Sequence, residues 1–173
     1  PTEKEIYRQM WERDEYRLYS PGEMCVMEFL SQAKPKVGST VIDLGCGTGR
    51  AGLCLSLLGG VKVIFTDFAE NCLDTDVKEM INGQPNLSFI ETDLTESLPV
   101  TAQYGFCTDV MEHIDEPDVD AILADIFSLV PKRDDGEKSF AFFVIACRPA
   151  ARKRLPDGRN VHLCIREPTW WDA

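Results

Sequence analysis

From residue 40 onward, short apolar runs alternate with amphipathic stretches, and this alternation constrains the fold more than any other feature of the chain. The runs are "TVIDLG" (40–45), "VKVIFTD" (61–67), "LSFIETD" (87–93), "YGFCTD" (104–109) and "KSFAFFVIAC" (138–147). Between them, "GRAGLCLSLLGG" reads as a helix closed by Gly59 and Gly60, a second helix spans roughly 71–81, and a third spans 116–130 and stops at Pro131. Strands apolar along their whole length, separated by crossover helices, predict a parallel sheet buried on both faces. The fold class is therefore α/β, a doubly wound, mostly parallel sheet with helices on both sides. The stretch "PKRDDGEK" (131–138) is expected to be an exposed, mobile turn.

Two helices are expected ahead of the sheet. Residues 3–18 place Ile6, Met10 and Leu18 on a rough helical period, with Tyr7 and Trp11 beside them. The stretch "SPGE" offers Ser20 as N-cap, Pro21 at the first helical position and Glu23 three residues on, so a second helix should run to about Ala33. It should stop before Pro35. Residues 1–36 thus form a helical lid, with Tyr7, Trp11, Tyr16 and Tyr19 packing over a cleft, and residues 37–173 form the sheet domain.

Length and charge narrow the function. A chain of 173 residues suits one domain with a sizeable core. No apolar run approaches the roughly 20 residues that cross a bilayer, so no membrane partner is expected. The seven cysteines are odd in number and scattered, which fits a reducing cytoplasm. A net charge of −11 argues against general nucleic-acid binding. One local exception stands: Arg148, Arg152, Lys153, Arg154, Arg159 and Arg166 crowd into residues 148–166. They read either as a solvated loop or as an anion-binding lip.

The turn "VIDLGCGTGR" (41–50) carries Gly45, Gly47 and Gly49 behind Asp43. A glycine turn between a first strand and a helix N-terminus is how Rossmann-like folds hold nucleotides. The dinucleotide fingerprint needs a glycine where Arg50 stands, so NAD is disfavoured. The pattern D-x-G-x-G-x-G instead resembles the first motif of class I S-adenosylmethionine-dependent methyltransferases, and the resemblance runs through most of the chain from residue 37. It implies an S-adenosylmethionine-binding methyltransferase domain over 37–173. On that resemblance the cofactor's methionine portion lies on Gly45, Gly47 and Gly49, and Asp43 faces its ammonium group. Asp67 in "FTDFA" accepts both ribose hydroxyls, for which a carboxylate has paired acceptors. Phe68 lies against the adenine, Asp93 in "ETDL" takes the adenine amino group, and Leu94 sits alongside.

The stretch "CTDVMEHI" is similar to a segment of small-molecule O-methyltransferases with the pattern C-x-E-x-x-E-H, departing from it at Asp109. The Cys107 carbonyl is then near the cofactor's amino group, and Asp109, Glu112 and His113 line the methyl-transfer cleft. His113 and His162 are the chain's two histidines, each following a strand at the same sheet edge. Asp109, Glu112 and His113 share one face if their turn is helical. With His162 they suit Mn²⁺, Zn²⁺ or Fe²⁺ better than Mg²⁺. That set resembles the metal site of plant small-RNA 3′-end 2′-O-methyltransferases. The alternative is metal-free, with His113, His162 and Glu112 as acid–base groups, or a purely architectural role.

The resembled family carries two further strands after the fifth. Here the sequence ends at "TWWDA", where Thr169 is expected to cap a helix begun by Trp170 and Trp171. Short members with paired tryptophans near the end resemble bacteriophage proteins. A fifth strand at the sheet margin leaves an edge through which copies could pair. The expected function is methyl transfer from S-adenosylmethionine to O or N of a small or terminally presented acceptor. Two other readings stand: a catalytically inactive S-adenosylmethionine-binding regulator, and a metal-assisted 2′-O-methyltransferase of a nucleic-acid end.

Overall fold

The computed structural model describes residues 1–96, 98–132, 139–151 and 153–172. Five strands form one parallel sheet: β1 (Thr40–Leu44), β2 (Lys62–Asp67), β3 (Leu87–Glu91), β4 (Tyr104–Thr108) and β5 (Phe140–Val144). Their order is β3-β2-β1-β4-β5, so the winding reverses between β1 and β4. A crevice opens beyond the strand ends at such a reversal. The α/β doubly wound architecture expected from the apolar runs is the one observed. Most of the expected turn 131–138 lies outside the described residues.

Both faces of the sheet are covered. On one side α3 (Gly22–Ala33), α4 (Arg50–Gly59) and α5 (Thr75–Gly83) pack on Val41, Phe65, Phe106 and Phe142. On the other, α6 (Val119–Leu129) brings Ile122 and Ile126 against Ile42, Leu44 and Cys107. Phe29 of α3 is fully buried and meets Phe106 and Phe142 edge-on at 5.4 and 5.8 Å. Each such burial stabilises by roughly 1.5–3 kcal/mol relative to exposure. Residues ahead of 36 contribute to this layer, through α3 and through Trp11, which packs against its edge.

The N-terminal stretch differs from the single helix expected over 3–18. The chain forms α1 (Glu3–Trp11) and α2 (Asp14–Arg17), separated at Arg13, whose backbone is extended. Thr2 and Glu5 form a reciprocal capping box at the start of α1. The break turns Tyr16 inward, where its hydroxyl donates to the Arg154 carbonyl at 2.5 Å. Leu18, expected on the apolar face, is 79% exposed. A separate small core of Ile6, Met10, Tyr16, Leu155 and Val161 explains the change: contact with a distant segment overrides the local period.

Other boundaries move slightly. The helix α3 begins at Gly22 behind Pro21, with no side-chain cap from Ser20. A 3₁₀ turn (Glu70–Cys72) delays α5 to Thr75. The last helix, α7 (Pro168–Trp171), is capped at Glu167 rather than Thr169. Strand β5 hydrogen-bonds to β4 and stands at the margin of the sheet. No helix of the described residues is long and apolar enough to cross a membrane.

Candidate active site

The crevice beyond β1 and β4 is floored by the turn Gly45–Gly49. All three of its glycines have positive φ, but they serve different neighbours. A side chain at Gly45 or Gly49 would collide with the protein itself, Val110 in the first case and Val77 with Leu73 in the second. Gly47 alone faces the lid: a Cβ there would lie 3.2 Å from the Trp11 indole. The backbone of Gly45 and Gly47 lines the crevice, whereas Gly49 does not. Gly52, which the motif reading passed over, makes the closest approach of helix to strand. A Cβ on it would meet Phe65 at 2.3 Å and the Asp43 carboxylate at 2.6 Å. Gly52 thus does the packing that the dinucleotide fingerprint assigns to its third glycine. Arg50, which stands where that fingerprint has its third glycine, holds Asp74 at 2.5 Å.

Two buried carboxylates stand behind this turn. Asp43 ends β1 with Oδ2 buried and without a hydrogen-bond partner. Burial, and then the charge of Asp67, push its pKa up to about 7. Asp67 ends β2 and accepts from the Gly47 N–H at 2.9 Å and the Ala69 N–H at 3.2 Å. Burial pushes it up to about 6, and these N–H groups hold it back. An orphaned buried carboxylate favours a cation beside it.

Two cavities meet here. The larger, about 330 Å³, is lined by Asp67, Phe68, Thr92, Asp93 and Leu94, with Tyr7 edge-on to Phe68 at 5.8 Å. The smaller, about 150 Å³, runs from Asp43 and Gly47 past Trp11 and Tyr16 to Lys153 and His162. Gly45, Trp11, Asp109 and His113 line both. Cys107 lines neither. Its thiol is buried against α6, and Thr108 takes its place in the smaller cavity.

The loop after β4 supplies the opposite wall. Asp109 has a left-handed backbone (φ 55°), and burial raises its pKa while His162 and Lys153 lower it. The next residues form a 3₁₀ turn (Met111–His113) rather than an α-turn. Glu112, His113 and His162 bring one ligand atom each within 4.8 Å of one another; Asp109 is outside that cluster. The two imidazole rings are 5.2 Å apart. Glu112 is fully buried and lines neither cavity, and its carboxylate makes no hydrogen bond of ordinary geometry. The N–H groups of Glu112 itself and Ala146 approach closely enough to lower its pKa, yet burial still pushes it up to about 7. Burial, helped by the charges of His162 and Lys153, lowers His113 to about 3, so this ring is neutral. The Glu112 carbonyl accepts from Leu163 N–H at 2.6 Å and Cys164 N–H at 3.0 Å, which docks the segment carrying His162. His162 donates through Nδ1 to the Arg148 carbonyl at 2.6 Å, so that in the neutral ring the lone pair is on Nε2.

The lid is latched on both sides of the crevice by residues no motif marked. Asp74 receives Arg17 at 3.3 Å and Arg50 at 2.5 Å. Lys4 and Arg8 reach Glu91 at the end of β3.

A family model described as "Methyltransferase domain" matches residues 41–133, just over half of the chain. The chain belongs to the methyltransferase-domain family. Among curated proteins, the 23S rRNA (uracil(1939)-C(5))-methyltransferase of Marinomonas posidonica is 35% identical over 81 residues. That match covers 46% of this chain, which spans only 18% of the relative. The 1,6-didemethyltoxoflavin-N1-methyltransferase of Burkholderia thailandensis, solved with S-adenosylhomocysteine, superposes with a TM-score of 0.68 at 15% identity. It covers 96% of this chain and 73% of that one. The magnesium protoporphyrin IX methyltransferase of Synechocystis PCC 6803, also with S-adenosylhomocysteine, gives 0.53 at 22% identity, covering 62% and 49%. Both share with this methyltransferase domain the fold that sets the crevice between β1 and β4.

Proposed function

We propose that this domain binds S-adenosylmethionine across the two joined cavities and transfers its methyl group to O or N of an acceptor entering beside His162. The observation that carries the reading is the junction itself. A larger cavity lined by Asp67, Phe68, Asp93 and Leu94 meets a smaller one floored by Asp43 and Gly47, and His113 and Asp109 stand where they join. Bound there, S-adenosylmethionine would supply an electrophilic sulfonium methyl. Asp67 would accept from the ribose diol, and Asp93 and Leu94 would face the adenine. Asp43, which lines the smaller cavity, would meet the methionine ammonium. The residues present fit this cofactor.

The chain's part in the reaction is alignment and proton removal. Trp11 and Tyr7 of α1 line the crevice, where they would shield the reacting atoms from water. His162, tautomerically fixed by the Arg148 carbonyl, presents Nε2 to take a proton from the acceptor. Glu112 lies behind His113 and positions rather than touches the acceptor. Calorimetric titration with S-adenosylhomocysteine and with NAD tests the reading: micromolar binding of the first alone is expected. Binding of NAD alone would refute it.

A second reading adds a divalent cation held by Glu112, His113 and His162. It is favoured by the fully buried, unpartnered Glu112 carboxylate within 4.8 Å of both imidazoles. A cation there would polarise an acceptor hydroxyl and ease loss of its proton. Asp109 would stand outside that ligand set.

A further inference from the structure

Six basic side chains crowd residues 148–166, and the structure sorts the five described ones by what they touch. Arg159 is paired with Asp157 at 2.7 Å and Glu3 at 2.8 Å, and Arg166 is paired with Glu116. Arg154 donates to the carbonyls of Ala150 and Lys153. Arg148 lies exposed on the outer surface, outside both cavities. Lys153 differs from all four. It is half-buried, lines the smaller cavity beside His162, and has its ammonium 5.3 Å from the Tyr16 ring centroid. No carboxylate pairs with it among the described residues.

Lys153 shares the smaller cavity with Asp109, His113 and His162 and does not line the larger one around Asp67, Phe68 and Asp93. Its charge therefore stands on the His162 side of the junction. An ammonium that faces a cavity and is paired with no carboxylate is free to hold an anion that enters it.

We infer that Lys153 anchors an anionic group, carboxylate or phosphate, on the methyl acceptor, whose apolar body packs against Trp11, Tyr16 and Tyr19. The inference rests on the methyl-transfer reading above and names the acceptor class for it. Charge distribution supports it. A chain of net charge −11 repels anions in general, so an anionic acceptor needs a local positive charge, and Lys153 is the one described lysine or arginine of 148–166 that lines this cavity.

The test uses the full chain loaded with S-adenosylhomocysteine and three probes: benzoate, phenyl phosphate and the neutral benzamide. Calorimetry should show at least one anion binding tenfold or more tighter than benzamide, with the affinity falling as salt is raised; the better anion tells carboxylate from phosphate. Lys153→Met should weaken that anion tenfold or more, Lys153→Arg should keep most of the affinity, and S-adenosylhomocysteine binding should stay within twofold in both. Equal binding of benzamide and the anions, binding of neither anion, or anion affinity unchanged in Lys153→Met overturns the inference. Loss of S-adenosylhomocysteine affinity in Lys153→Met also overturns it, because Lys153 would then serve the cofactor's own carboxylate while the methyl-transfer reading stands. A wild-type protein that fails to bind S-adenosylhomocysteine removes the functional reading and this inference together.

Discussion

The two walls of the crevice are built in different ways. On the cofactor side, each polar group stands at or just beyond the end of a strand: Asp43 on β1, Asp67 on β2, Asp93 two residues past β3. Backbone ladders fix those positions, and local turns finish them. On the acceptor side, His162 sits in an irregular segment, and its place depends on contacts distant in sequence. The Glu112 carbonyl docks Leu163 and Cys164, and Tyr16 holds Arg154. One wall is set by the fold's framework and the other by a few tertiary contacts, so damage to each should read out differently.

The largest expected effect is on the framework wall. Asp67→Ala removes the diol acceptor and two hydrogen bonds, one from Gly47 in the glycine turn and one from Ala69 beyond β2, each to a charged group and worth about 1.5–3 kcal/mol. Gly47→Val forces a branched side chain into positive φ and against Trp11. Each should weaken S-adenosylhomocysteine binding roughly 100-fold or more, with circular dichroism unchanged. Unchanged affinity in both variants would end the cofactor assignment.

On the other wall, His162→Ala should leave S-adenosylhomocysteine affinity within twofold and lower turnover roughly 10²–10⁴-fold, the usual range for a lost general base. Chelator treatment separates the two versions of this wall. Loss of activity restored by Mn²⁺ assigns the cluster of Glu112, His113 and His162 to a cation. Activity indifferent to chelator leaves His162 as base alone. Either result with weakened cofactor binding would contradict the division between the walls.

The latch spans both walls and should matter less. Asp74→Ala removes one ion pair each from Arg17 and Arg50. Arg17 keeps its bonds to the Asn71 and Cys72 carbonyls and Arg50 keeps its bond to the Arg17 carbonyl, so the lid is loosened in part without touching either cavity. Release of S-adenosylhomocysteine, followed by stopped flow, should quicken roughly tenfold or less. No change would mean that α1 is held by its ion pairs to Glu91 and by the small core around Met10.

The same division explains what could be read from the sequence. The five strands, their parallel order and the acids at their ends follow from apolar runs and motif spacing, because the framework is local in sequence. Gly52 was legible in principle, three residues beyond Gly49, but its need arises only from the Phe65 ring and the Asp43 carboxylate lying against it. The break between α1 and α2 was not legible, because Tyr16 is turned inward by Leu155 and Val161 some 140 residues on. The meeting of His113 and His162 was anticipated from their shared sheet edge. The exclusion of Asp109 from that cluster was not, because it follows from the left-handed backbone at Asp109 and the 3₁₀ turn after it.

The smallest expected effect concerns protons, and it separates the walls once more. Asp43 and Asp67 are raised to about 7 and about 6 in the folded chain. Between about pH 5 and pH 7 the folded protein therefore holds protons that the unfolded chain releases near pH 4. A group raised on folding contributes stability that is present at low pH and lost as pH climbs through its folded value. On the acceptor wall the contributions oppose each other. Glu112, raised to about 7, acts in the same sense, while His113, lowered to about 3, stays neutral where the unfolded chain takes a proton. These two oppose each other below about pH 6.5, and Asp109, raised by burial, adds in the sense of Glu112. The larger part of the slope therefore belongs to the two buried acids of the cofactor wall. The melting temperature of the ligand-free protein should fall by a few degrees per unit as pH rises from about 5 to 7, since each net proton is worth about 1.4 kcal/mol per unit. Asp43→Asn should flatten that slope. Saturating S-adenosylhomocysteine should flatten it too, because a ligand ammonium beside Asp43 expels its proton. A slope undiminished by either change would place the titrating groups on the acceptor wall, and the contrast between the two walls would be wrong.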